Sequence, residues 1–190
     1  MIKLLDFAKN FLKQADIKPD SVLADFTMGN GYDTLYLASL VPNGKVYAFD
    51  IQTDALINTK ARLDKAGLKN VVLIKDSHEN AALYIKEPLT AGMFNLGYLP
   101  GSDKSVHTMH ESTVKAVKEA IRLLKRGGYL VICVYPGHDE GKLEGELLLE
   151  MLSHYSKKYF CITHFHILNS PDASFIITIE KYDKQAVPEE

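Results

Sequence analysis

Residues 24–34 read Ala24-Asp25-Phe26-Thr27-Met28-Gly29-Asn30-Gly31-Tyr32-Asp33-Thr34. An apolar run over 21–26 leads into two glycines spaced as Gly-x-Gly, and a helical pattern follows. That order predicts a strand, a tight turn and the start of a helix. Glycine permits the backbone geometry of such a turn and lets a ligand approach closely. The first amides of the following helix have no partner within it and face outward. Thr34 stands where the dinucleotide-binding pattern Gly-x-Gly-x-x-Gly has its third glycine, so the pyrophosphate cradle is incomplete. Asp25 before the turn and Asp33 after it would repel a pyrophosphate and favour a cationic ligand.

Outward from this turn, further strand-like runs cover 45–50, 71–75, 92–96 and 129–134, with helical patterns between them. Alternation of this kind predicts βαβ units and a mainly parallel sheet with helices on both faces. Residues 159–168 and 174–181 form two longer strand patterns separated only by Asn169-Ser170-Pro171-Asp172, a turn signal. Without a helix between them the two strands should be antiparallel. Residues 4–12 carry an amphipathic helical pattern. Thr108 and Glu111 have the spacing of a capping box. Behind them Val114, Val117, Ile121 and Leu124 form an apolar stripe, opposite Lys115, Lys118, Arg122, Lys125 and Arg126, and Gly127-Gly128 should end that helix.

The 190 residues carry a net charge of −2, are 46% hydrophobic and 24% charged, and fit one domain over 1–182 with a polar tail over 183–190. The charge disfavours a general nucleic-acid coat but allows a local basic patch. No apolar run approaches the ~20 residues that span a bilayer, so no membrane partner is expected. Cys133 and Cys161 lie in apolar runs and read as buried free thiols of a cytoplasmic chain. His164 and His166 share a strand face, but with no clear third ligand no metal is assigned.

In a parallel sheet, ligands bind at the carboxyl ends of the strands, and polar residues collect there. The loop itself offers Met28, Gly29, Asn30, Gly31 and the two flanking acids. The second strand ends in Asp50 and Gln52; an acid about 20 residues past such a loop can hold ribose hydroxyls, or else cap a helix. Asp76, Ser77 and His78 follow the third strand, as adenine contacts or as caps. The ligand that fits acids and a glycine turn is S-adenosylmethionine, which carries an ammonium and a sulfonium. The fourth strand runs into Asn95-Leu96-Gly97-Tyr98, where a methyl acceptor would sit. Asp103, Lys104 and His107 lie just beyond, and Tyr135 and His138 follow the fifth strand. Asn95 and Tyr98 are the catalytic candidates, with His138 and Asp103 as proton acceptors. Lys104, His107 and Tyr135 are the substrate-side candidates.

Three stretches together carry a resemblance: residues 25–34, Phe94-Asn95-Leu96-Gly97-Tyr98-Leu99-Pro100-Gly101, and Tyr135-Pro136-Gly137-His138. They resemble the MnmM (YtqB-like) family, a group long labelled rRNA methylases, over about residues 1–182. The resemblance implies a Rossmann-like class I methyltransferase with a mainly parallel seven-stranded sheet finished by an antiparallel hairpin. It implies cofactor contacts at Asn30, Asp33, Asp50, Gln52, Ser77 and His78. It also implies methylation of 5-aminomethyl-2-thiouridine at the tRNA wobble position to the methylaminomethyl base, with the tRNA anticodon region as partner and S-adenosyl-L-homocysteine as product. Residues 95–98 are similar to the Asn/Asp-Pro-Pro-Tyr motif of amino-methyltransferases, with Leu96-Gly97 in place of the prolines. In this reading Asn95 orients the amine and Tyr98 stacks on the uracil. A methyltransferase acting on rRNA or a small amine stays open, as do a nicotinamide oxidoreductase and a non-catalytic RNA-binding module. A homodimer fits so small an RNA enzyme.

Overall fold

The structure is a computed structural model that describes residues 4–97 and 108–182. In chain order the elements are α1 (Leu4–Leu12), β1 (Val22–Asp25), α2 (Tyr32–Leu40), β2 (Lys45–Asp50), α3 (Thr53–Ala66) and β3 (Val71–Lys75). A 3-10 turn (His78–Asn80) and α4 (Ala81–Tyr84) come next. The rest is β4 (Leu89–Asn95), α5 (His110–Leu123), β5 (Leu124–Val134), α6 (Asp139–Ser153), β6 (Phe160–Phe165) and β7 (Phe175–Lys181).

The seven strands form one sheet in the order β3-β2-β1-β4-β5-β7-β6. The first five are parallel, and β7 runs antiparallel to both β5 and β6. This is the mainly parallel sheet with a terminal antiparallel hairpin expected above. The alternation did not show that β7 enters between β5 and β6. Side chains alternate across the sheet as a period of two requires. On β5, Tyr129, Val131 and Cys133 join the core under α1, α2 and α3, while Leu130, Ile132 and Val134 join the core under α5 and α6. The order change from β1 outward to β2 on one side and β4 on the other leaves a crevice above the β1 and β4 tips, the usual ligand position in such sheets.

Several expectations are corrected. The capping box is absent: α5 begins after Met109, whose side chain makes no capping bond. Thr108 is used elsewhere. Its hydroxyl accepts from Gly97 N–H at 3.0 Å and donates to Glu144 at 3.2 Å. Gly127 and Gly128 do not end α5, which stops at Leu123; they lie in β5, where Leu124 already pairs with Leu89 and the register shifts before Tyr129. Gly127 takes φ 72° there. Lys125 and Arg126 therefore belong to β5 and not to a helix face. The end of α5 is capped instead by Lys181, whose ammonium donates to the carbonyls of Ile121 and Leu124 at 3.1 and 2.8 Å. Cys133 is buried as expected, whereas Cys161 is only partly so.

Candidate functional site

A cleft of about 1340 Å³ opens over the carboxyl ends of β1 to β5 and is closed on one side by α1. Its floor is aromatic. Phe26 and Phe49 line it, at most 1% exposed and with rings 5.9 Å apart, and Phe94, outside the lining, stacks on Phe26 at 4.3 Å. On this floor the glycine turn takes positive φ at both glycines, 49° at Gly29 and 78° at Gly31. Both values lie in the left-handed region that glycine enters at little cost. The turn is tied from three sides. Gly29 N–H donates to Asp50 Oδ2 at 3.0 Å, Met28 N–H donates to the Phe49 carbonyl at 2.9 Å, and Thr59 Oγ1 of α3 donates to the Gly29 carbonyl at 3.0 Å. Gly31 packs so closely on Thr59 that an added Cβ would lie 2.7 Å from its hydroxyl.

Among the described residues, the charges lining the cleft are mostly negative: Asp6, Asp33, Asp50, Asp76 and Asp172, against Lys9. A concave wall of one sign concentrates the opposite ion. Asp50 also accepts from Gln52 N–H at 2.9 Å, and burial raises its pKa. Asp25 does not line the cleft as expected. It is 1% exposed and braces the turn from behind, accepting from Thr34 Oγ1 at 2.6 Å and from Thr27 N–H at 3.1 Å. Burial first, then the nearby Asp33 charge, push its pKa up to about 7. Gly31 likewise shapes the turn without lining the cleft.

The third-strand residues divide their roles. Asp76 lines the cleft, but its oxygens are taken by Tyr84 OH at 2.7 Å, Ser77 N–H at 2.7 Å and Asn80 Nδ2 at 3.0 Å. Those donors, the tyrosine hydroxyl foremost, lower its pKa. It therefore holds the turn that presents Ser77 and His78. Ser77 is the N-cap of that turn. His78 is buried, and its Nδ1 donates to the Phe26 carbonyl at 3.0 Å. Burial lowers its pKa, so the neutral ring keeps Nε2 as an acceptor.

At the β4 tip, Asn95 is fixed twice. Its N–H donates to Thr27 Oγ1 at 2.7 Å, and its Nδ2 donates to Asp33 Oδ2 at 3.3 Å. Its Oδ1 is buried with no hydrogen-bond partner among the described residues. An acceptor left in that state costs about 1–3 kcal/mol, so a native structure that keeps one calls for an explanation. Asp33 is 8% exposed, and its Oδ1 also accepts no hydrogen bond; Lys9 Nζ lies 3.2 Å away as an ion pair without hydrogen-bond geometry. Tyr135 lines the cleft, and burial raises its pKa.

His138 also lines the cleft, but its Nδ1 accepts from Gly141 N–H at 3.0 Å as the N-cap of α6. A neutral imidazole has one acceptor nitrogen. His138 is thereby a donor through Nε2 and not the proton acceptor expected from the sequence. Tyr98, Asp103, Lys104 and His107 lie outside the described residues. Sequence reading missed Lys9, Asp6 and Thr27 as parts of the site. Thr27 sat inside the quoted loop, whereas Lys9 and Asp6 lie on an ordinary amphipathic helix with no motif. His164 and His166 have ring centroids 4.8 Å apart, and no group of three or more metal-binding side chains occurs among the described residues.

A family model described as "Putative rRNA methylase" matches residues 46–180. The chloroplastic tRNA (mnm(5)s(2)U34)-methyltransferase of Arabidopsis thaliana is 36% identical over 191 residues, covering 94% of this chain and 69% of that protein. A structure described as a "putative rRNA-methylase" from Clostridium thermocellum superposes with a TM-score of 0.91 at 38% identity, covering 95% of this chain and 98% of the other. A "putative methyltransferase" from Streptococcus mutans, in complex with SAH, superposes with a TM-score of 0.87 at 37% identity, covering 95% and 99%.

Proposed function

The chain belongs to the family described as "Putative rRNA methylase", and from that premise we propose that it methylates the aminomethyl nitrogen of 5-aminomethyl-2-thiouridine at the tRNA wobble position. It is an S-adenosylmethionine-dependent methyltransferase with the class I α/β fold. The wobble uridine is the target of the Arabidopsis relative, which aligns with 94% of this chain. The observation in the chain itself that supports an amine acceptor is the buried Oδ1 of Asn95 at the β4 tip, which has no hydrogen-bond partner among the described residues.

The cleft fits the donor. S-adenosylmethionine supplies a methyl group made electrophilic by its positive sulfur. The acidic lining suits that charge, and Asp50, braced by two backbone amides, is placed to accept from ribose hydroxyls. His78 Nε2 offers an acceptor to an exocyclic amino group, and the aromatic floor excludes water.

The acceptor nitrogen imposes its own demands. An alkylammonium has a pKa of ~10, as in lysine, so the amine must lose a proton before it can react. Desolvation in the cleft disfavours the charged form. Asn95 Oδ1 accepts one N–H of the neutral amine and turns its lone pair toward the methyl carbon, and this positioning supplies much of the acceleration. Tyr98 would hold the base plane. Tyr135, kept protonated by burial, is a donor at the same edge. Lys115, Lys118 and Arg122 on exposed parts of α5 offer sites for tRNA phosphates. In this role the chain acts in the cytoplasm beside its tRNA.

The test is methyl incorporation from labelled donor into tRNA bearing the aminomethyl group, the same tRNA lacking it, and ribosomal RNA. Only the first should be labelled. Asn95→Ala should lower the rate at least about 100-fold, as loss of a positioning group can, with little change in S-adenosylhomocysteine affinity. Labelling of ribosomal RNA alone, or full activity in Asn95→Ala, would refute the reading.

A further inference from the structure

We infer that Asp33 is a positioning residue that sets which end of the Asn95 amide meets the reacting amine, and that Lys9 of α1 holds Asp33 for that task. The inference rests on the role given to Asn95 above.

A carboxamide has two ends of similar shape and opposite character. Its oxygen accepts and its nitrogen donates. An acceptor that takes an N–H of the substrate leaves the lone pair free to attack. A donor would bond to that lone pair and block it. The two orientations of Asn95 are therefore productive and inhibitory, and something must choose between them. The backbone bond to Thr27 Oγ1, 2.7 Å, fixes where the side chain starts but not which way the amide faces. Asp33 makes the choice. A carboxylate only accepts, so its Oδ2, 3.3 Å from Asn95 Nδ2, selects the NH2 end. The Oδ1 end is thereby left buried and unpartnered among the described residues.

Asp33 must in turn stay in place in a wall that is mostly acidic. Lys9 supplies the counter-charge 3.2 Å from Oδ1, and its ammonium also sits 5.0 Å from the centroid of the Tyr36 ring. Tyr36 lies one turn beyond Asp33 on α2. The three contacts form a chain from α1 through α2 to the tip of β4. The N-terminal helix thus takes part in orienting the acceptor, a role beyond covering the sheet.

The experiment measures kcat and KM on aminomethyl tRNA, with S-adenosylhomocysteine affinity by calorimetry, for Asp33→Asn, Lys9→Met, Lys9→Arg and Asn95→Ala. An asparagine at 33 can present either end to Asn95 and no longer enforces one orientation. At saturating donor, Asp33→Asn should lower kcat at least about tenfold while KM for tRNA stays within about threefold, the signature of a contact that matters in the transition state. Lys9→Met, a partly exposed change that should not unfold the chain, should show the same split with a smaller loss, and Lys9→Arg should recover most of it. The proposal is overturned if Asp33→Asn or Lys9→Met keeps wild-type kcat at saturating donor, or if Lys9→Arg recovers none of the loss caused by Lys9→Met. Full activity in Asn95→Ala would instead sink the acceptor reading itself, and the two failures are told apart by that variant.

Discussion

Asp25 shows how a residue can serve a site that it does not line. Its carboxylate is buried behind the glycine turn, with Asp33 near enough to oppose its charge, and its pKa rises to about 7. The sign follows from proton counting. The folded chain holds the Asp25 proton at pH values where the unfolded chain, near 3.8, has lost it. The contribution of Asp25 to stability is therefore fully present below pH 3.8 and is lost as pH rises through about 7. The slope is at most about 1.4 kcal/mol per pH unit. Asp25→Asn stays neutral and can keep both bonds, since the Thr34 hydroxyl can donate or accept. Its melting temperature relative to wild type should rise between pH 4 and pH 8. A difference independent of pH would show that Asp25 is ionised throughout. Asp25 and Asp33 were both legible as acids flanking a turn; that one is buried and the other faces the cleft was not, because a pattern of types does not give side-chain direction.

Among the elements, the β1 turn was the most legible because its demands are local. Two glycines between an apolar strand and a helix leave few backbone solutions, and the structure uses positive φ at both. The Asn169-Ser170-Pro171-Asp172 turn correctly announced an antiparallel pair, since so short a connection cannot cross over to a parallel strand. The entry of β7 between β5 and β6 was hidden, because a local pattern does not select a partner strand. The Thr108–Glu111 capping box failed for a related reason: Thr108 was drawn to Gly97 and the buried Glu144, a long-range choice. Two glycines allow a test of local against long-range cost. Gly31 and Gly67 both have positive φ, at 78° and 70°, but a Cβ at Gly31 would crowd Thr59 while Gly67 has open space. Gly67→Ala should cost about 1 kcal/mol from backbone strain. Gly31→Ala should cost about 2–4 kcal/mol by urea unfolding, because crowding adds to strain. Equal costs would mean that α3 yields freely and does not shape the loop.

The molecule as a whole joins these parts into one arrangement. Five parallel strands bring the glycine turn, Asp50, His78 and Asn95 to one edge, α1 closes that edge, and the wall carries mostly negative charge. The identity of the acceptor depends on a handful of atoms at the β4 tip. The most direct measurement is mass spectrometry of nucleosides from tRNA that bears 5-aminomethyl-2-thiouridine, treated with the protein and S-adenosylmethionine. The account predicts that this nucleoside is converted to its N-methyl derivative only when protein and donor are both present. An unchanged nucleoside, or a methyl group found on another position or another RNA, would contradict it.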